Sequence, residues 1–304
     1  MKVEQAKANR TIRELCLLLG YSTQAFYKFH RTKEKKYLGN DLLLHQVAQV
    51  RAKQKKIGTR KLFGMLQPFM VEHKLSIGRD AFFNLLRENN LLIRKRKRRK
   101  PITTFSNHPF KKYQHLIKGF APMAPNQVWV SDITYIHLHD DFAYLSLITD
   151  AYSRKIVGYC LHYNLSAKGT LNALNMALKS IPRRRKGDSR LIHHSDRGLQ
   201  YGCHEYVKKL TENHISISMT QTGDPLENAI AERVNGILKD ELLEEIHPDF
   251  DTAMSNIAIA ISTYNHLRPH GSVEMLTPME AHLLSRPLKR TWKNYYKRKE
   301  VSIM

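Results

Sequence analysis

Three acidic residues stand out by what surrounds them. Asp132 interrupts the strand-like run Trp129-Val130-Ser131-Asp132-Ile133-Thr134, where a carboxylate is costly unless paired or metal-bound. Asp196 follows Leu191-Ile192-His193-His194-Ser195 and precedes Arg197-Gly198, the C-terminal end of a strand, where α/β folds present functional groups. Glu232 sits on a segment of helical period. Asn228, Glu232, Asn235 and Lys239 make a polar stripe there, beside an apolar one of Ala231, Val234, Leu238 and Leu242. Each acid also has a plain reading: an edge-strand Asp facing water, a cap for the helix starting near Tyr201, a solvated helix face. If the apolar stripe packs on a sheet, however, Glu232 turns toward Asp132 and Asp196. Carboxylates about 4 Å apart at an effective dielectric of ~20 repel by roughly 4 kcal/mol, a cost that a divalent cation removes. Hard oxygen donors without a Cys or His cage favour Mg²⁺ or Mn²⁺, and a pair of such ions can activate an attacking oxygen and stabilise a leaving oxygen of a phosphodiester.

The elements that must bring these acids together are short and sheet-first. Residues 128–136, 143–149 and 155–161 are rich in Val, Ile, Leu and Tyr, with polar turns at His139-Asp140-Asp141 and Asp150-Ala151-Tyr152-Ser153, which predicts an antiparallel meander. A helix over 166–181, a strand over 191–194, a helix over 201–213, a strand over 215–219 and a long helix over 225–246 follow. Asp224 and Glu227 have the spacing of a cap for the last one. The expectation is an α/β fold, a mixed sheet with helices packed on it. Asp150 is expected to fix its turn by bonding Ser153 or Arg154. His193 and His194 point to opposite sides of their strand and are expected in packing roles, as is Cys203.

The front of the chain has a different character. Lys and Arg number 50 against 27 Asp and Glu, a formal charge of +23, and residues 1–120 hold 28 basic against 7 acidic residues. That imbalance suits a polyanion, of which nucleic acid is the commonest. Two small helical units are predicted, over 1–38 and 39–100. In the first, a helix ending at Gly20 is followed by one over 23–33 capped by Ser22 or Thr23, with Phe26 and Phe29 inward and Lys28 and Arg31 outward. In the second, helical patterns over 43–55, 59–74 and 79–90 are punctuated by Gly58 and Gly78, with Arg79 and Arg87 left for a ligand. Both have the form of helix-turn-helix DNA-binding modules, although a plain helical hairpin would have it too. The run Arg94-Lys95-Arg96-Lys97-Arg98-Arg99-Lys100 cannot fold against a core and is read as a DNA-backbone contact over a solvated linker. Prolines at 101, 109, 122 and 125 mark a linker over 101–126, a core over 127–285 and a basic tail over 286–304.

Composition excludes other classes. A hydrophobic share of 42 % is enough for packed cores. No run approaches the ~20 apolar residues of a membrane span, and the polar N-terminus is not a secretory signal. Cys16, Cys160 and Cys203 are too far apart and too few for a disulfide framework or a zinc site.

The motifs around the three acids, taken in order, resemble the DDE catalytic core of retroviral integrases and transposases, and most closely the downstream-frame (OrfB) product of the insertion sequence 3 family. They are Trp129 to Thr134, His194-Ser195-Asp196-Arg197-Gly198-Leu199-Gln200-Tyr201, and Asn228-Ala229-Ile230-Ala231-Glu232-Arg233, with the family's 35 residues between Asp196 and Glu232. Tyr264-Asn265-His266-Leu267-Arg268-Pro269-His270 and Thr277-Pro278-Met279-Glu280 resemble its C-terminal signature, and the likeness covers roughly residues 41–285. The resemblance implies a ribonuclease H-like core behind helix-turn-helix modules. Asp132, Asp196 and Glu232 would be catalytic ligands of two Mg²⁺ (or Mn²⁺) ions. Lys239 would contact the transposon end, with Asn228, Asn235 and the 94–100 run beside it on DNA. It implies a bacterial cytoplasmic enzyme, nucleoid-associated when bound, that cuts DNA ends and joins them to a target as a multimer, alone or fused to an upstream-frame partner. The alternative is a DNA-binding regulator with a relic core; a nuclease without joining activity is a further rival.

Overall fold

The computed structural model describes residues 11–93, 109–181, 191–221, 225–284 and 286–289. They divide into two compact units, the first holding residues 11–53 and 57–93 and the second holding the remainder. The basic run 94–100, the cap residue Asp224 and most of the C-terminal tail lie outside the described residues.

In the first unit, α1 (Ile12–Leu18) opens with a reciprocal cap: the Thr11 hydroxyl accepts from the Glu14 N–H, and the Glu14 carboxylate accepts from the Thr11 N–H. Gly20, at φ +73°, ends it, a left-handed conformation that costs glycine nothing. Ser22 Oγ then accepts from the Ala25 N–H at the start of α2 (Thr23–Lys53). The sequence suggested a stop near Lys33 and a fresh helix from Leu43; α2 instead runs unbroken for 31 residues. Gly39 disfavours the helix by only about 1 kcal/mol, and no proline forces a break. Phe26 is half-buried as expected, but Phe29 is exposed, because the buried stripe of α2 begins further on, at Leu43 and Val47. Those two residues pack with Leu62, Leu66 and Met70 of α3 (Thr59–Glu72) and Phe82, Leu85 and Leu86 of α4 (Arg79–Glu88). Pro68 lies within α3 without splitting it, and the α3–α4 turn contains Gly78 as expected.

The second unit is built on a five-stranded sheet in the order β3-β2-β1-β4-β5. β1 (Val128–His137), β2 (Phe142–Asp150) and β3 (Ile156–His162) form the antiparallel meander, and Asp132 stands opposite Leu147. β4 (Ile192–Ser195) and β5 (Ser216–Met219) extend the sheet in parallel. This is the mixed sheet of the expected ribonuclease H-like core.

One face carries α5 (Ala167–Ser180), α6 (Leu199–Gly202) and α7 (His204–Glu212), packed on Trp129, Ile148 and Val157. Gly158 permits this approach, since a Cβ there would lie 2.2 Å from the Ala173 carbonyl oxygen. The other face carries α8 (Ala229–Ile237) and α9 (Phe250–His266), packed on Ile136, Leu145, Leu147 and Leu161. A short helix, α10 (Pro278–His282), follows with Pro278 in its first turn.

Two expected elements are divided. Cys203 is extended (φ −66°, ψ 150°), so the helix foreseen over 201–213 becomes α6 and α7. The long helix foreseen over 225–246 becomes a 3₁₀ turn (Pro225–Asn228), α8, and a π turn (Leu238–Leu242) closed by the Leu243 N–H on the Leu238 carbonyl. Asn228 occupies the N-cap position of α8, and Glu227 accepts from the Gln221 N–H; the expected cap at Asp224 falls outside the described residues. The stretch expected to be linker is anchored where described: Leu116 N–H donates to Ser218 Oγ, Met219 N–H donates to the Gln114 carbonyl, and Tyr113 packs into the core.

Candidate active site

Asp132 projects from the middle of β1, Asp196 follows the last residue of β4, and Glu232 lies in the first turn of α8. β1 and β4 are parallel neighbours with Val130 beside His194, so the two aspartates emerge on the same side of the sheet's end. Asp132 and Asp196 are half-buried and Glu232 is exposed. Burial pushes the Asp132 carboxyl up to about 7; the charge of Asp196 adds to the rise and that of Glu232 adds a smaller amount. The Asn235 side-chain amide, 2.7 Å from Asp132 Oδ2, and the Ile133 N–H oppose it without cancelling it. A carboxyl held that far above its ordinary range is one for which burial and like charge outweigh its hydrogen bonds.

Asn228 and Asn235, expected on DNA, are both buried. Asn228 Nδ2 donates to the Ser131 carbonyl at 2.9 Å, and Asn235 donates to Asp132. The polar stripe of α8 is therefore partly a seam with β1, because the helix is rotated so that these amides meet the strand. Lys239 is half-buried in the π turn. In the following segment Arg268, 1 % exposed, makes two 2.8 Å bonds to the Glu241 carboxylate, tying the C-terminal end of α9 to that turn.

The histidines behave as the strand alternation demands. His194 Nδ1 pairs with Ser218 Oγ and its Nε2 donates to the Glu227 carbonyl, holding β4 to the turn before α8. His193 faces the other way and meets Ser131 Oγ at 2.7 Å and Tyr206 OH at 2.9 Å. Ser131 and His193 look like a nucleophile and its base, but both are 1 % exposed and burial pushes His193 down to about 3. No substrate reaches that pair, so it is a packing device.

Among the described residues no three His, Cys, Asp or Glu side chains lie close enough to hold one metal ion. Asp132 interacts electrostatically with Asp196 and Glu232, but the three do not converge into one three-ligand cluster. The chemistry of the donors still suits a hard divalent cation: carboxylate oxygens only, with Asp132 raised by burial and by its acidic neighbours. In the first unit, Arg60, Arg79 and Arg87 line one shallow groove, and Lys28 and Arg31 line another. Arg79 and Arg87 also bond their helix neighbours Asp80 and Asn84. Sequence reasoning assigned no role to Tyr201 or Arg268, both buried; their place inside the quoted motifs was the only signal available.

Comparison with known proteins places this architecture. Residues 122–225 and 213–278 each match the integrase core domain family. The chain is 34 % identical over 270 residues to an uncharacterized 31 kDa protein of insertion element IS600 from Shigella sonnei, covering 87 % of this chain and 96 % of that one. It is 34 % identical over 166 residues to a putative transposase of IS986/IS6110 from Mycobacterium tuberculosis H37Rv, covering 54 % of this chain and 60 % of the relative. It is 33 % identical over 132 residues to the InsF transposase of IS3A from Escherichia coli K12, covering 43 % and 44 %. The chain thus spans less than two thirds of the last two relatives. Among solved structures, the HTLV-2 integrase catalytic core in complex with magnesium aligns at 21 % identity and a TM-score of 0.41, over 52 % of this chain and 97 % of that core. The chain belongs to the insertion sequence 3 family, within the DDE transposase and integrase superfamily.

Proposed function

We propose that the protein is a DNA transposase whose core cleaves the ends of its element and joins them to target DNA, with Asp132, Asp196 and Glu232 as the catalytic acids. The observation that carries this reading is that burial and the charges of Asp196 and Glu232, acids from two other elements, together raise the Asp132 carboxyl. Asp132 and Asp196, with Glu232 arriving from α8, would hold two Mg²⁺ or Mn²⁺ ions. Such ions activate the attacking oxygen, a water or a DNA 3′-hydroxyl, and stabilise the leaving oxygen.

The chain's own residues do the rest. Asn235 orients Asp132, and Asn228 pins the start of α8 to β1, so the helix bearing Glu232 keeps a fixed distance from the strand bearing Asp132. Lys239, in the π turn that follows α8, would meet a phosphate near the cut. The helical front unit, with its arginine-lined grooves, supplies binding to the element's ends, helped by the basic run 94–100. Divided labour of this kind fits a multimer on DNA, either from this chain alone or from its fusion with an upstream-frame partner.

The test is substitution without change of size. Asp132→Asn, Asp196→Asn and Glu232→Gln are each expected to reduce Mg²⁺-dependent nicking of the element's own ends below detection, while end binding in a mobility-shift assay stays within about twofold of wild type, since each change alters one side chain of the second unit and none of the first. Nicking retained in any one variant removes that residue from the site. A wild-type chain that binds ends but neither nicks nor joins them with Mg²⁺ returns the protein to the regulator reading.

A further inference from the structure

Four tyrosines are buried among the described residues, and three of their hydroxyls have partners. Tyr152 donates to the Arg286 carbonyl, Tyr206 pairs with His193, and Tyr264 donates to the Arg154 carbonyl. Tyr201, 2 % exposed, is the exception: its hydroxyl is buried without a hydrogen-bond partner. An orphaned buried hydroxyl costs about 1–3 kcal/mol, and its ring is otherwise packed in a cluster with Trp129, Ile133, Tyr206 and Met219 that would suit phenylalanine as well. A buried polar group left in this state calls for an account, and an absent ion, an absent water or a catalytic duty are the usual ones.

Its position supplies the account. Tyr201 lies on α6, immediately after the Asp196-Arg197-Gly198 turn, and Gly198 separates the two side chains. A Cβ on Gly198 would stand 3.0 Å from Asp196 Oδ1 and 3.6 Å from the Tyr201 ring. Burial raises the hydroxyl's pKa, and the charges of Tyr206, Asp196 and Asp132 raise it further, so both aspartates act on it. It therefore stays protonated and able to donate at any working pH.

We propose that Tyr201 is a positioning residue for the acidic pair: its hydroxyl donates a hydrogen bond, through one water, to the Asp132–Asp196 carboxylates and holds them ready for a divalent cation. The inference rests on the function proposed above. It separates Tyr201 from its bonded neighbour Tyr206, whose hydroxyl serves the packing of His193.

The experiment uses the full chain and the variants Tyr201→Phe and Asp132→Asn, with Mn²⁺ and Mg²⁺ as probes. Two readouts are taken: the thermal shift produced by each cation at pH 8, and the cation concentration giving half-maximal nicking of the element's ends. Tyr201→Phe is expected to melt at or above the wild-type temperature without cation, because it removes an unsatisfied group. Its half-saturating cation concentration is expected to rise about tenfold in both readouts, the loss typical of one hydrogen bond to a charged group. Equal half-saturation in Tyr201→Phe and wild type overturns the role of Tyr201 alone, provided that Asp132→Asn abolishes the cation response. A wild-type chain with no cation response for Asp132→Asn to abolish overturns the acidic site and the role of Tyr201 together.

Discussion

Asp150 and Asp132 stand on paired strands, three residues of register apart, and they have opposite fates. Asp150, at the end of β2, is fully buried, yet its carboxylate accepts from the Asn126 N–H, the Ser153 N–H and the Ser153 hydroxyl, each at 2.7 Å. Asp132, in the middle of β1, is less buried, yet it has one side-chain donor and two acidic neighbours. Depth therefore does not distinguish an acid that builds the fold from one suited to chemistry. The supply of donors does. At Asp150 the chain provides three for a single turn, whereas at Asp132 it provides too few and adds further negative charge.

The widest separation between the two acids is expected in stability. Asp150→Ala removes the acceptor for three donors and strands them in the interior, which predicts a loss of roughly 3–5 kcal/mol. Chemical denaturation of the cation-free protein measures it, and Mg²⁺ is expected to make no difference to the loss. A loss below about 1 kcal/mol would mean that the turn is held without its carboxylate, and the contrast with Asp132 would lose one side.

Asp132 is expected to act in the other direction, and only above a certain pH. Its folded-state pKa of about 7 lies above the ordinary 3.8, so on unfolding it releases a proton that the folded chain retains. Its adverse effect is absent below about pH 4, grows as pH rises from about 4 to 7, and is constant beyond. Asp132→Asn, whose carbonyl can still accept from Asn235, should thus match wild type at pH 4 and exceed it at pH 8. The expected gain is on the order of 2–4 kcal/mol in cation-free buffer. Saturating Mg²⁺ should stabilise wild type at pH 8 and leave the variant unmoved. Equal denaturation midpoints at pH 8 would show that the pocket tolerates the charge.

What could be read from the sequence divides along similar lines. The Asp150 turn was foreseeable because an Asp with Ser three residues on makes its bonds locally, and β1, β4 and the apolar stripe of α8 followed from short-range patterns. The destination of Asn228 and Asn235 was not, because a polar stripe beside an apolar one has a flank at each edge, and only packing on β1 decides which flank is buried. The continuity of α2 was hidden for a related reason. Gly39-Asn40 permits a break and does not require one, and the choice belongs to the packing of the whole unit. The described part of the proline-marked 101–126 stretch reads as linker until β5 offers it a partner, an edge that no local pattern in Gln114 or Leu116 announces.

The smallest expected effect concerns the one side chain that Asp132 shares with the Asp150 arrangement, a donor aimed at its carboxylate. Asn235 Nδ2 stabilises the charged form of Asp132, while its own Oδ1 is buried without a partner, so the residue helps on one atom and costs on the other. Asn235→Ala removes both, and the net change in stability at pH 8 should stay within about 1 kcal/mol. The pH at which Asp132 loses its proton should nevertheless rise above 7, because the side-chain hydrogen bond is the larger of the two that oppose burial and the neighbouring charges, the Ile133 N–H being the other. Carbon-detected NMR of the carboxyl, or the midpoint of the pH-dependent stability, reads that rise. A midpoint that stays put would mean that Asn235 holds α8 to the strand without serving the acid, leaving Asp132 with only the Ile133 N–H against the three donors of Asp150.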